Sequence, residues 1–184
     1  MRIIAGKARS LPLKTLSGLD TRPTSDRIKE TLFNILTPSL YDCRFLDLFA
    51  GSGQMGLEAV SRGAKLAVFV ENNKKAAACI EENIHFTKLT DNCTLLVRDV
   101  VAAIQQMAGR ETFDVVFMDP PYGRNLEQET LKALANAGII GEDSLVIVES
   151  SLDTDLSYAA DLGYEITREK TYKTNQHTFL RFTG

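Results

Sequence analysis

Five short runs, Arg44 to Phe49 (RFLDLF), Lys65 to Glu71 (KLAVFVE), Cys93 to Arg98 (CTLLVR), Phe113 to Met118 (FDVVFM) and Ser144 to Glu149 (SLVIVE), are almost continuously apolar. They alternate with segments of helical period at Gly56 to Arg62, Lys74 to Lys88, Val100 to Ala108 and Leu126 to Ala137. Strands that are apolar on both faces need helices on both sides, so the pattern predicts an α/β fold with a mainly parallel sheet. A weaker helix is expected around Asp153 to Leu162. The rhythm then changes: Tyr164 to Lys173 and Gln176 to Phe182 are β-prone and separated by Thr174-Asn175, which predicts a terminal antiparallel hairpin and seven strands in all.

Ahead of this body, residues 1–20 read as a short β ribbon. Pro23-Thr24-Ser25 then introduces a helix, with Thr24 or Ser25 as its cap and Ile28, Leu32, Ile35 and Leu36 as its apolar stripe. At 184 residues the chain suits one globular domain with an appended element, divided here as an extension at 1–40 and a main domain at 41–184. No run approaches the roughly 20 apolar residues of a membrane span, and MRIIAGKARS lacks the apolar core of a secretory signal, so a soluble, cytoplasmic protein is expected. Cys43, Cys79 and Cys93 show no CxxC spacing, which argues against a disulfide framework and a zinc site; no metal is expected. The overall charge of −3 hides an asymmetry: residues 1–30 carry +4 and the remainder −7. A basic arm on an acidic body is either an ordinary solvated face or a surface for a phosphate backbone.

Asp47-Leu-Phe-Ala-Gly51-Ser-Gly53-Gln-Met-Gly56 ends one predicted strand and opens a helix, which is the setting in which GxGxxG binds an adenosine-like ligand. Glu71, 20 residues after Gly51, ends the next strand and can accept hydrogen bonds from two ribose hydroxyls. This geometry serves NAD and S-adenosylmethionine alike. The acidic Asp47 just before the loop favours S-adenosylmethionine, whose amino-acid end is cationic where NAD has a pyrophosphate. Asp99 either caps the following helix or accepts from an adenine amino group, and the two roles are compatible. Five parallel strands and a hairpin match the Rossmann-like fold of S-adenosylmethionine-dependent methyltransferases, which is the architecture expected, although the strand count alone also fits other doubly wound proteins.

Asp119-Pro120-Pro121-Tyr122 directly follows the fourth strand. Two prolines cannot continue a strand, so the chain turns out at the carboxyl edge of the sheet, where open α/β folds bind ligands. An exocyclic base amine is a poor nucleophile because its lone pair is delocalised into the ring. If Asp119 and the Pro120 carbonyl accept its two hydrogens, the nitrogen can aim that lone pair at a methyl donor, while Tyr122 stacks on the extruded base.

With these pieces placed, the sequence resembles the RsmD family, bacterial methyltransferases of N2 of guanine 966 in 16S ribosomal RNA. The resemblance spans essentially the whole chain. It rests on Met1 to Lys7 (MRIIAGK), Arg22 to Asn34 (RPTSDRIKETLFN), Asp47 to Gly53, Gly56 to Ala64 and Phe113 to Tyr122. It implies that Gly51, Gly53, Glu71 and Asp99 hold S-adenosylmethionine, with Asp47, Phe49, Ala50, Ser52, Asn72 and Val100 completing the cofactor set, and that Asp119, Pro120, Pro121 and Tyr122 hold the guanine. It further implies that Arg2, Lys7, Arg9, Lys14, Arg22 and Arg27 contact RNA, the partner being 16S ribosomal RNA, free or within the 30S subunit or an assembly intermediate, and the protein a monomer. Gln54-Met55 stands where the family has smaller residues, and Ala8-Arg9-Ser10 replaces a more basic stretch. Three other readings compete: a DNA adenine-N6 methyltransferase, for which no insertion is long enough to be a target-recognition domain; a nicotinamide-dependent oxidoreductase, whose proton donor could only be His85 or His177; and a noncatalytic RNA-binding module.

Overall fold

The computed structural model describes residues 1–16 and 25–184. Helix α1 (Asp26–Leu40) leads into alternating elements: β1 (Arg44–Leu48), α2 (Gln54–Ser61), β2 (Leu66–Glu71), α3 (Lys74–Thr87), β3 (Cys93–Val97), α4 (Val100–Met107), β4 (Val115–Met118), α5 (Leu126–Ala137) and β5 (Leu145–Ser151). The hairpin β6 (Tyr164–Thr171) and β7 (Asn175–Phe182) closes the chain. The sheet runs β3-β2-β1-β4-β5-β7-β6, parallel except that β7 is antiparallel to β5 and to β6. Strand order reverses between β1 and β4, so a crevice is left at their carboxyl ends.

Alternate residues of each strand enter opposite layers. Phe45, Ala67, Phe69, Val115, Phe117, Ile147 and Phe179 pack under α1, α2 and α3. Leu46, Leu48, Val68, Val70, Val116, Met118, Val146, Val148 and Leu180 pack under α4 and α5. This two-sided burial is why the strands read as unbroken apolar runs.

Three expectations need correction. The helix expected around Asp153 to Leu162 is a single 3-10 segment, Ser157–Leu162, started by Asp155 accepting from Ser157 N (2.8 Å) and stopped by Gly163 at φ +84°. The N-terminal ribbon is confined to residues 1–13, where Ile3 N donates to the Leu11 carbonyl (3.0 Å), Ser10 N to that of Ile3 (2.8 Å) and Leu13 N to that of Met1 (3.1 Å) around the bridge Arg2 to Pro12. The peptides between its arms turn to α2: Ile4 N and Ala5 N donate to the Glu58 carboxylate (2.8 and 3.1 Å), Lys7 N to the Ser61 carbonyl (2.8 Å) and Ala8 N to Ser61 Oγ (2.9 Å). Gly6 sits where this approach is closest; a Cβ there would fall 1.8 Å from the Ser61 carbonyl oxygen, and φ is +87°. Finally, α1 buries Lys29 and Phe33 in addition to Leu32 and Leu36, whereas Ile28 and Ile35 are only half-buried. The Lys29 ammonium reaches Glu58 (3.4 Å), which also accepts from Arg62 (2.7 Å), so this buried charge is paired. Ser25 Oγ caps α1 through Ile28 N, while Thr24 lies outside the described residues. Ile3, Leu13, Leu32, Phe33 and Leu36 join the core of the sheet layer, so the ribbon and α1 are packed onto the body.

Candidate active site

The glycine loop is shaped by three left-handed residues, Phe49 (φ +60°), Gly51 (φ +59°) and Gly53 (φ +77°). At Gly53 a Cβ would crowd Ile80 (3.2 Å) and Phe69 (3.3 Å), so glycine is required there by conformation and by space. Ala50 and Gly53 are buried, whereas Phe49, Gly51 and Ser52 keep part of their surface in the crevice. Asp47, buried in β1, accepts from Gly56 N (2.9 Å) and so caps the first turn of α2 across the loop. Burial pushes its carboxyl up to about 8; the Gly56 amide opposes this and the Glu71 charge adds to it. Glu71 binds Gly51 N through Oε2 (2.9 Å) and Asn73 N through Oε1 (2.8 Å). Each oxygen retains a lone pair for a hydroxyl.

Asp99 is exposed, and its Oδ1 caps α4 through Ala102 N (3.1 Å); Val100 behind it is buried. Asn72 is exposed, and the cap of α3 is its neighbour Asn73. Met55 belongs to the core, and Gln54 is buried with an Oε1 that finds no partner among the described residues.

Past β4, Pro120 is buried, Pro121 is exposed and Tyr122 is 49% exposed. Asp119 is half-buried and makes no hydrogen bond to any described residue. Burial, then the charges of Glu149 and Asp47, push its carboxyl well above the usual range. Tyr122 is held protonated by burial and by the Asp119 and Glu149 charges.

The strand registers gather these groups into one row. Leu48 pairs with Val70 and with Met118, and Met118 with Val148; one residue further on stand Glu71, Phe49, Asp119 and Glu149, the last paired with His177. By the strand period Glu71 and Glu149 share the face of Asp47, whereas Phe49, with its left-handed φ, packs with the opposite layer and Asp119 follows the end of β4. Among the described residues no lysine or arginine forms an ion pair with Asp47, Glu71 or Asp119. The acids are spaced along the edge instead of converging, and no described group of three or more could hold a metal ion. Such a row favours a ligand carrying positive charge over a pyrophosphate.

Sequence reasoning misses Glu149 at this edge, and names His177 only as a possible proton donor, without its pairing to Glu149. For Glu149 a signal exists: SLVIVE ends in an acid just as KLAVFVE does. For His177 there is none, since its place opposite Glu149 depends on hairpin register.

Of the basic residues, Arg2 pairs with Asp26 (3.0 Å) and Lys14 with Glu82. Lys7, Arg9 and Arg27 are exposed and have no acidic partner among the described residues, and Arg22 lies outside them. Ser52 donates to the Met1 sulfur (3.2 Å), and Asn83 bridges the Ser52 and Lys14 carbonyls, so the ribbon abuts the glycine loop. No helix among the described residues is long and apolar enough to cross a membrane.

The sequence matches the family described as "Conserved hypothetical protein 95" over residues 1–181. "Ribosomal RNA small subunit methyltransferase D" of Haemophilus influenzae is 36% identical over 172 residues, covering 93% of this chain and 88% of that protein. A solved hypothetical protein of Thermus thermophilus superposes with a TM-score of 0.83 at 31% identity, covering 97% and 98% of the two chains. The "ribosomal protein L11 methylase" of Lactobacillus delbrueckii subsp. bulgaricus shares the fold (TM-score 0.75, 15% identity, 94% and 86% covered).

Proposed function

This chain belongs to the conserved hypothetical protein 95 family, and from that premise we propose that it is an S-adenosylmethionine-dependent methyltransferase acting on the exocyclic N2 amine of a guanine in small-subunit ribosomal RNA. The observation that carries the reading is Asp119: a half-buried carboxyl with no hydrogen-bond partner among the described residues, which, like Asp47 and Glu71, forms no ion pair with a described lysine or arginine. A carboxyl largely removed from water calls for a partner, and a ligand's donors would supply one.

The residues fit the cofactor on three counts. Asp47 and the acidic row suit a cationic amino-acid end, the Glu71 oxygens suit two ribose hydroxyls, and Asp99 stands at the opening of α4 for an adenine amino group. When bound, the cofactor supplies an electrophilic methyl group on a positively charged sulfur. Asp119 and the Pro120 carbonyl accept the two hydrogens of the target amine and orient its lone pair, and their contribution is made where charge develops. The exposed ring of Tyr122 offers a stacking face for the extruded base, worth about 1–3 kcal/mol. Residues 1–40 form the RNA-contacting extension and 41–184 the catalytic domain. Support for the small-subunit RNA comes from the named relative, and Lys7, Arg9 and Arg27, which have no acidic partner among the described residues, supply cations for its phosphates.

Calorimetry tests the cofactor. S-adenosylmethionine should bind in the micromolar range, and Glu71→Ala should weaken it by about 1–3 kcal/mol through two lost hydrogen bonds. Binding of NAD with no binding of S-adenosylmethionine would overturn the reading.

A further inference from the structure

The groove between α1 and the edge strand β6 has no part in the chemistry described above. It encloses about 560 Å³ and is lined by Thr31, Asn34 and Ile35 of α1 and by Arg168, Glu169 and Lys170 of β6. Arg27 stands one turn before Thr31 on the same face of α1, and its carbonyl accepts from Thr31 Oγ1 (2.9 Å). Arg27, Arg168 and Lys170 are exposed and form no ion pair with a described residue.

Strand register explains why the groove is basic. Ile166 pairs with Leu180 of the α4–α5 layer, and an unbroken ladder would put Thr167 opposite Phe179 and Glu169 opposite His177. A bulge at Thr167 shifts the pairing, so that Arg168 stands opposite Phe179 and Lys170 opposite His177. Phe179 belongs to the layer under α1, α2 and α3, so the bulge turns both cations toward α1 and pairs Glu169 with Thr178 on the other face. Thr167 Oγ1 holds the bulge by donating to the Phe179 carbonyl (3.2 Å). Protection of an edge strand is met by charge on either face; what the bulge adds is two cations aimed at one groove.

The groove also lies at the edge where the site is. β7 is antiparallel to both β5 and β6, so β6 runs parallel to β5 and Lys170, near its end, stands at the carboxyl edge. Asp26 pairs with Arg2 (3.0 Å), and Ser52 of the glycine loop donates to the adjacent Met1 (3.2 Å), so the Arg27 end of α1 is at that edge too. Three strand spacings, about 14 Å, separate β6 from β4, which ends at the Asp119 turn. We infer that this groove holds the RNA strand flanking the target guanine, with Arg27, Arg168 and Lys170 on its phosphates. The inference rests on the RNA methyl-transfer reading and adds β6 to a contact surface otherwise drawn from residues 1–40. A base extruded onto the Asp119 turn brings its backbone to the carboxyl edge, where the acids of the crevice repel phosphate and these cations attract it. Such contacts position the strand and leave base selection to the turn.

The test is RNA affinity across a salt series, with a small-subunit RNA transcript and with an oligouridine of about 20 nucleotides as probes. Arg168→Ala/Lys170→Ala should lower the slope of log affinity against log salt by about 1.4, and each single variant by about 0.7, the value of one phosphate contact on a single strand. S-adenosylmethionine affinity should be unchanged, which reports that the variants are folded. Lys65→Ala/Lys132→Ala removes the same charge from exposed positions outside the groove and should hardly change the slope. A wild-type slope for Arg168→Ala/Lys170→Ala, or one no lower than that of Lys65→Ala/Lys132→Ala, would overturn the inference and leave the RNA reading standing. Wild type that binds neither probe would defeat that reading and the inference with it.

Discussion

Asp47→Asn exposes the conflict between stability and ligand binding in this site. The native carboxyl titrates at about 8 because β1 buries it, against roughly 3.9 in the unfolded chain. A folded-state value above the unfolded one means that the stabilisation is fully present below about pH 4 and is lost as pH rises through about 8. Across that window wild type should lose up to about 1.4 kcal/mol per pH unit at this site, and a variant with no proton to lose should not. The substituted amide can still accept from Gly56 N, and any cost of burying it is independent of pH, so the informative quantity is the change in the difference between the proteins. Thermal unfolding from about pH 5 to about pH 8 is the assay. The variant should gain about 2–4 kcal/mol on wild type over this range, at about 2–4 °C per kcal/mol. Because a cationic ligand favours the ionised carboxylate, S-adenosylmethionine should restore much of the wild-type loss and little in the variant. A difference in stability that stays constant with pH would refute the assignment of a buried, proton-holding Asp47.

Gly6→Ala should destabilise by about 2–4 kcal/mol in thermal or urea unfolding, because its Cβ would strike the Ser61 carbonyl oxygen and its φ is left-handed. Wild-type stability would mean that the ribbon is not held against α2. Replacing Lys7, Arg9 and Arg27 together by alanine should lower the slope of RNA affinity against salt by about 0.7–0.9 per residue, whereas Arg2→Ala and Lys14→Ala should each change it less, since those cations are already paired. Equal slopes for wild type and the triple variant would place the RNA elsewhere.

The parallel sheet is legible in the sequence because each strand is covered on both faces, so local hydropathy alone carries the information. The glycine loop and the turn at Asp119 are legible for a related reason: their chemistry is set by residues adjacent in the chain. What escapes depends on distant pairing. The ribbon's arms pair as the sequence suggests, yet the peptides between them are directed at Glu58 and Ser61, more than 50 residues away. Lys29 has the character of a surface residue, and the Glu58 carboxylate with the Arg2 carbonyl lets it enter the core. Glu149 and His177 meet through a strand register that hydropathy does not specify.

Nucleoside mass spectrometry of small-subunit ribosomal RNA, from cells lacking the gene and complemented with wild type or Asp119→Ala, tests the central claim most directly. One N2-methylguanosine should disappear with the gene, return with wild type and stay absent with Asp119→Ala, a variant that should still bind S-adenosylmethionine within several-fold of wild type. An unchanged N2-methylguanosine content, or full restoration by Asp119→Ala, would contradict the account.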